Sequence, residues 1–374
     1  MPPIHSAGPT DSERKNRGLA VVGRAPKHRE KGPLADPEPV GTTAVVYCEA
    51  NFGADDGKTA NGLVRHSEKY EILSVIDSTK AGRDAGEVLD GTPVNIPICA
   101  DLAEAIALAG AVPDFFIFGM APSSGMLSPI QRRVVLQAIE RGMHVVNGLH
   151  EFLNDDPVFA AAAAKHHVTI LDVRQPRKKK NLRMFSGHIS TVTCPRIAVL
   201  GTDGAIGKRT TAEILTRELN NRGIKAVFVS TGQTGLMQGA RYGLALDAIP
   251  CQFCAGEMEA TVVEAFEGEH PDVIIIEGQG ALSHPAYLSS TYILRGSRPD
   301  AVILQHAPAR KWLGDFKDVP MPTPASEIRL IQCFADTKVI GLTLNHEWMT
   351  EAQVAQAIVG YEAELGIPVT DALT

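Results

Sequence analysis

Short, almost wholly apolar runs alternate with longer segments of helical period along most of this chain. Residues 43–50 (TAVVYCEA) read as a buried strand, 58–70 (KTANGLVRHSEKY) as a helix and 71–77 (EILSVID) as a second strand. Strand, helix, strand at that spacing needs a crossover and therefore a parallel pair. The alternation continues through a strand at 95–100, a helix at 101–110, a strand at 113–122 (PDFFIFGMAP), a helix at 128–142 and a strand at 143–148, and a last helix and strand end near Val173. Ser128 and Pro129 make a helix entrance, because serine can cap and proline suits the first turn.

A second series begins at Arg196. Residues 196–200, 225–230, 271–277, 299–305 and 337–345 are near-continuous apolar runs, as strands covered on both faces are. Helical segments separate them, among them 256–268 and 349–366, and Gly223 can supply a left-handed helix end. The economical reading is an α/β protein of two tandem doubly wound parallel-sheet domains, Rossmann-like over 41–175 and P-loop-like over 196–374. Residues 1–40, rich in Pro, Gly and charge, read as a mobile arm, and 176–195 as a basic linker whose 177–180 run (RKKK) is a solvated face.

Composition removes several function classes. With 36 basic and 43 acidic side chains the net charge is -7, which argues against a polyanion-binding surface, so no nucleic-acid partner is expected. No apolar run reaches the roughly 18 to 20 residues of a membrane span, and residues 1–18 lack the apolar core of a secretory signal. A cytoplasmic protein without membrane association is the expectation, with homo-oligomerisation left open. Six cysteines in 374 residues are no disulfide framework. Cys251 and Cys254 form the only CxxC, with no second pair at zinc spacing, so no metal is expected.

The strongest motif is 201–211 (GTDGAIGKRTT), between a strand and a helix. That context aims backbone N–H groups and the positive end of a helix dipole at one point, where an anion belongs. Gly201, Thr202, Asp203, Gly204, Ala205, Ile206, Gly207, Lys208, Arg209, Thr210 and Thr211 are thus the expected phosphate-binding set, with Lys208 as the point charge. Arg209 stands where nucleotide-cleaving loops place a magnesium-binding hydroxyl. A second cation there could neutralise a diphosphate without metal, which favours holding the phosphate over cleaving it.

The loop, with 273–282 (VIIIEGQGAL) and 339–347 (VIGLTLNHE), resembles the dethiobiotin-synthetase-like branch of P-loop proteins. That resemblance makes Glu277 the acidic position and Asn345 a base-reading position. Taken with 57–91, 118–125, 147–157 and 230–239, the loop also resembles the DUF1611 family, whose characterised activity is D-glutamate N-acetyltransferase using acetyl-CoA. The resemblance implies an acyltransferase that takes acetyl-CoA as co-substrate and an acidic amino acid as acceptor, its diphosphate gripped by Lys208 and Arg209. The alternatives are an ATP- and magnesium-dependent ligase or kinase with Thr210 or Thr211 in the metal role, and a nucleotide sensor without catalysis.

Acetyl transfer to an amine needs a base and donors for the developing oxyanion, drawn in an open α/β sheet from loops at the carboxyl ends of the strands. Glu277 and His284 are the candidate bases. Gln233, Arg241, Gln279 and Arg295 are the candidate acceptor contacts, the arginines as bidentate partners of its carboxylates. His306 and Arg310 lie on a third loop. In the first domain Asp77 is an ordinary strand-end aspartate, Lys58 and Thr59 could line an anion pocket, and His150 either faces the domain interface or, the favoured reading, is a satisfied core histidine.

Overall fold

The computed structural model describes residues 42–122 and 124–372, apart from the side chain of Asp55. The arm expected over 1–40 lies outside the described residues.

The first domain runs β1 (Thr43–Tyr47), α1 (Lys58–Arg65), β2 (Glu71–Ile76), α2 (Ala85–Asp90), β3 (Ile98–Cys99), α3 (Leu102–Ala109), β4 (Phe115–Phe118), α4 (Pro129–Glu140), β5 (His144–Asn147), α5 (Pro157–His166) and β6 (Ile170–Asp172). Its six strands are parallel in the order β3-β2-β1-β4-β5-β6, so the winding reverses between β1 and β4. Phe115, Phe116, Ile117 and Phe118 are all buried, which is why β4 shows no polar alternation. Each such side chain removed from water contributes roughly 1.5–3 kcal/mol. The helix starts were legible: Ser128 and Gln131 form a reciprocal capping box with Pro129 in the first turn, and Asp101 caps α3.

The second domain runs β7 (Arg196–Gly201), α6 (Lys208–Asn221), β8 (Ala226–Ser230), α7 (Gln233–Gln238), β9 (Tyr242–Gly243), α8 (Cys251–Glu269), β10 (Val273–Glu277), α9 (Ser289–Ser297), β11 (Ala301–His306), β12 (Trp312–Leu313), β13 (Phe316–Pro320), α10 (Pro324–Phe334), β14 (Lys338–Leu344), α11 (Glu351–Leu365) and β15 (Val369–Asp371). Seven strands form a parallel sheet in the order β15-β14-β11-β7-β10-β8-β9, and β12 and β13 form a separate antiparallel hairpin. β7 is central, flanked by β10 and β11, so the loop after it opens where ligands of such sheets bind. Both sheets lie in one compact unit.

The stretch between the sheets is only partly a solvated face. Lys178, Lys179 and Lys180 are exposed, but Arg177 lies 3.9 Å from Glu257 and 3.7 Å from Glu264 on α8. Arg183 pairs with the same two glutamates, and Glu259 accepts the amides of Ser186 and Ile189. Buried Glu257 and Glu259, with exposed Glu264, thus fasten the connection to α8 of the second domain. Among the described residues no helix is long and apolar enough to cross a membrane.

Candidate functional site

Residues 201–207 wrap the carboxyl end of β7 and deliver the chain into α6. Gly207 is the N-cap at φ 98°, a left-handed conformation that favours glycine, and no side chain caps the helix. The first amides of α6 are therefore free to meet an anion. The loop is braced from behind. Thr202 N donates to Gln305 O at 3.1 Å, and the Thr202 hydroxyl meets His306 Nδ1 at 2.9 Å. Arg310 reaches Asp203 Oδ2 and Gly204 O at 3.1 Å and Ala205 O at 3.2 Å, while Glu347 holds its far side. Asn345 Nδ2 donates to Ile206 O at 3.2 Å, so Asn345 stands against the loop backbone.

Lys208 is 5% exposed and its Nζ donates to the carbonyl of Asp203 within the same loop. Burial pushes its pKa down to about 8; Asp203 and Glu277 pull it up, and Arg310 and Lys58 push it further down. Lys58 belongs to the first sheet's α1, so the two domains share this electrostatic neighbourhood.

The expectation that Arg209 grips the same phosphate is corrected. Consecutive helical residues point about 100° apart, and Arg209 leaves α6 toward α1, its Nε 3.5 Å from Glu213 and its Nη2 where a Cβ on Gly62 would come within 2.8 Å. Thr210 lines the same outer groove, and the Thr211 hydroxyl donates to Gln305 Oε1 at 2.7 Å. Of residues 208–211 only Lys208 turns its side chain into the loop.

Glu277 ends β10 and is 6% exposed. The Ser230 hydroxyl donates to its Oε2 at 2.7 Å and Thr231 N to the same oxygen at 2.8 Å. Among the described residues no donor reaches Oε1. The Thr231 hydroxyl bonds Glu277 O at 3.0 Å and receives Gln279 Nε2 at 2.8 Å. Gln233, buried at the start of α7, has Gly148 of the first domain against its Cγ. Glu277, Gln279 and Gln233 are therefore gathered around the ends of β8 and β10.

His284 lies on the loop's other wall, its side chain fully buried. Its Nδ1 accepts from Ala286 N at 3.2 Å, which leaves the proton of the neutral ring on Nε2. Nε2 is buried without a hydrogen-bond partner, 4.0 Å from Asp203 Oδ1. Burial lowers the pKa of His284; Asp203 and Asp315 oppose this and Lys208 reinforces it. In this tautomer the ring is a donor, and its one basic nitrogen is already occupied, a correction to its reading as a base. Tyr287 stacks on it at 4.4 Å and bonds Asp315 of the β12–β13 hairpin, whose Gly314 N donates to Asp203 Oδ2 at 2.9 Å. Glu327 on α10 accepts from Ser283 N at 3.1 Å and the Ser283 hydroxyl at 2.7 Å, fixing the segment that carries His284. Sequence reasoning missed the roles of Ser230, Glu327 and the hairpin; a strand-end serine beside TGQTG was the one local signal for the first.

Two expected acceptor contacts are not brought to this place. Residues 289–297 form α9 and not a loop, and α9 carries Arg295 away to lie over Phe334 at 5.0 Å in a cleft with Arg196 and Asp300, at the amino ends of β7 and β11. Arg241 is 74% exposed and ion-paired with Glu269, the last residue of α8. In the first domain Asp77 is fully buried, accepting Ala50 N and Phe52 N at 3.1 Å, so it holds its own loop as a strand-end aspartate. His150 is half-exposed, 3.8 Å from Asp247 of the second domain, so it faces the domain interface and is not a core histidine.

The first domain does reach the site. Thr59 and Thr234 meet hydroxyl to hydroxyl at 3.1 Å, Gln238 Nε2 donates to the carbonyls of Gly62 and His66 at 2.9 Å, and Arg174 bridges Gly148 O and Asp247. α1 is thereby seated on α7, next to Glu277 and the loop.

Two family models match in order, a DUF1611_N Rossmann-like domain over residues 78–176 and a DUF1611_C P-loop domain over 183–374, each described as a domain of unknown function. The chain belongs to the DUF1611 family. A crystal structure of a DUF1611 family protein from Anabaena variabilis is similar at 32% identity and a TM-score of 0.82, covering 89% of this chain and 96% of that one. A protein of Tritonibacter scottomollicae named D-glutamate N-acetyltransferase is 31% identical over 290 residues, 76% of this chain and 84% of the relative. One of the same name from a Pseudoalteromonas species is 31% identical over 264 residues, 69% of this chain and 77% of the relative.

Proposed function

We propose that this chain transfers the acetyl group of acetyl-CoA to the amine of an acidic amino acid, with D-glutamate the acceptor of choice. The observation that carries the reading is the 31% identity, across 76% of the chain, to a protein named for that activity. The donor set supports it. Coenzyme A offers a diphosphate that must be held and not hydrolysed, and Lys208 with the uncapped start of α6 suits holding. A ligase or kinase would want a hydroxyl for magnesium after the lysine, and here Arg209 turns away and the Thr211 hydroxyl is taken by Gln305.

In the reaction the neutral amine attacks the thioester carbonyl carbon, the C–N bond forms, the C–S bond breaks, and the departing thiolate takes up a proton. Glu277 is the proposed base: Oε2 is fixed by Ser230 and Thr231, leaving Oε1 to take the amine proton. His284, with its proton on Nε2 beside Asp203, is the proposed support of the phosphate loop and not a group that meets the thioester. Gln233 and Gln279 are the proposed neutral donors to the acceptor.

Purified protein mixed with acetyl-CoA and D-glutamate tests this. Free thiol released in step with N-acetylated product, without ATP, is expected, with L-glutamate the slower acceptor. ADP formation that requires magnesium, or tight binding of coenzyme A with no thiol release, would replace this reading with the ligase or the sensor.

A further inference from the structure

With Arg209 turned out, the loop holds one cation for a ligand that carries several negative charges. Arg310 stands against the same loop but is already paired with Asp203 and Glu347, and, among the described residues, an unpaired cation comes from the other sheet. Gly57 and Lys58 open α1 as Gly207 and Lys208 open α6: each lysine is the first residue of the helix, each N-cap is a glycine without a capping side chain. α2, α3, α4, α5, α10 and α11 are closed by an Asp, Ser or Thr side chain, while α7, α8 and α9 share the uncapped start and, of these three, only α7 has a glycine N-cap. The uncapped start of α6 offers its amides to an anion, whereas at α1 the Ala60 amide already donates to Gly119 O at 2.9 Å, so what α1 offers is the Lys58 side chain.

The packing seats α1 on α7 and beside the Arg209 side chain of α6. Thr59, next to Lys58, touches Thr234 at 3.1 Å, and Gly62 one turn on lies against Arg209 of α6. Gln238 ties α1 down by two carbonyls. Lys58 is exposed, and among the described residues no carboxylate lies within ion-pair distance of it, unlike Arg65 at the other end of the same helix, which pairs with Asp90. Its charge is felt at buried Lys208. A further sign of an unmet ligand is His284 on the loop's opposite wall, fully buried with a partnerless Nε2–H facing Asp203.

We infer that Lys58 is the second cation of a phosphate clasp, closing from the first domain on a diphosphate that Lys208 and α6 hold from the second. That the diphosphate belongs to coenzyme A rests on the acetyl-transfer reading; the clasp itself does not. It makes the site a property of both domains, and gives the Rossmann-like domain a part in binding without a dinucleotide fingerprint of its own.

The test is calorimetric titration of the full chain with coenzyme A and, separately, with inorganic pyrophosphate. Lys58→Ala should weaken both by about tenfold or more, the loss of one charge-assisted contact, and Lys58→Arg should stay within about threefold of the parent. Lys165→Ala removes the same charge from the far helix α5 and should change neither; a melting curve of each variant shows that it folds. Parental affinity in Lys58→Ala, an equal loss in Lys165→Ala, or a loss for coenzyme A with none for pyrophosphate would each overturn the clasp. If both affinities fall as expected but no acetyl transfer occurs, the carrier reading fails and the clasp stands.

Discussion

The Ser230 hydroxyl donates to Glu277 Oε2 at 2.7 Å, and that bond decides which oxygen of the carboxylate faces the cleft. If Oε1 is the base, Glu277→Gln should lower turnover by at least about a hundredfold, the usual size of a general-base contribution, while coenzyme A affinity changes by less than about threefold. Ser230→Ala should fall between, since it frees the carboxylate to rotate without removing it. Steady-state kinetics beside calorimetry check both. Full turnover in Glu277→Gln would remove it from the reaction.

Lys208 has a folded pKa of about 8 against an ordinary 10.5. The folded value is the lower, so between pH 8 and 10.5 the unfolded chain binds the extra proton and stability rises with pH across that window. Below pH 8 both states are charged and the whole cost of burying the ammonium is present. Lys208→Met should therefore stabilise the unliganded protein more at pH 7 than at pH 10, by about 2 to 3 kcal/mol. The same variant should lose coenzyme A binding, and the parent's own affinity should decline above pH 8. Chemical denaturation and titration at pH 7 and 10 measure these. A difference independent of pH would mean that Lys208 keeps its proton throughout.

Much of this was readable from residues and some was not, for physical reasons. Apolar runs fixed which segments are strands, since a parallel sheet covered on both faces leaves no alternation to misread, as in β4 and β10. Caps such as Ser128 and glycine-rich 201–207 announced helix starts because they act on neighbours in sequence. Side-chain direction was not readable. Whether Arg209 turns into the loop or toward Gly62 depends on α1 being seated there, a contact across 147 positions (62 to 209) that no local pattern encodes. Arg295 was misplaced because 289–297 begins without a capping side chain, so nothing local marked the start of α9. The tautomer of His284 likewise follows from the bend that brings Ala286 N to its ring.

His306 is held neutral, burial pushing its pKa down to about 4 from 6.5 while it bonds the Thr202 and Tyr361 hydroxyls. Again the folded value is the lower, so stability is fully present above pH 6.5 and is lost as pH falls toward 4. Because Thr202 belongs to the phosphate loop, acid should loosen that loop early. His306→Gln should flatten the decline between pH 6.5 and 4.5 by about 1 to 2 kcal/mol, with His144, His150 and His284, shifted the same way, and lowered carboxylates such as Glu259 adding to it. Denaturation midpoints at half-unit pH steps show this; an unchanged slope would mean that the decline comes from the others.

Gly278 follows Glu277 directly, and a Cβ there would overlap the carbonyl oxygen of Val199 on neighbouring β7, with the Leu200 Cα 3.0 Å away. Both are backbone atoms in the middle of a sheet, so neither can move aside as the tip of a long side chain could. Gly278→Ala should cost about 2 kcal/mol or more of stability and, by pushing 278–284 outward, displace His284 from Asp203. Gly62→Ala is the matched comparison: its Cβ would meet Arg209 Nη2 at 2.8 Å, the end of a flexible side chain that can yield. Thermal melts should therefore separate the two substitutions clearly. Equal and small losses would show that the β7–β10 crossing has slack, and the fixed placement of His284 beside the loop would have to come from Glu327 and Tyr287 alone.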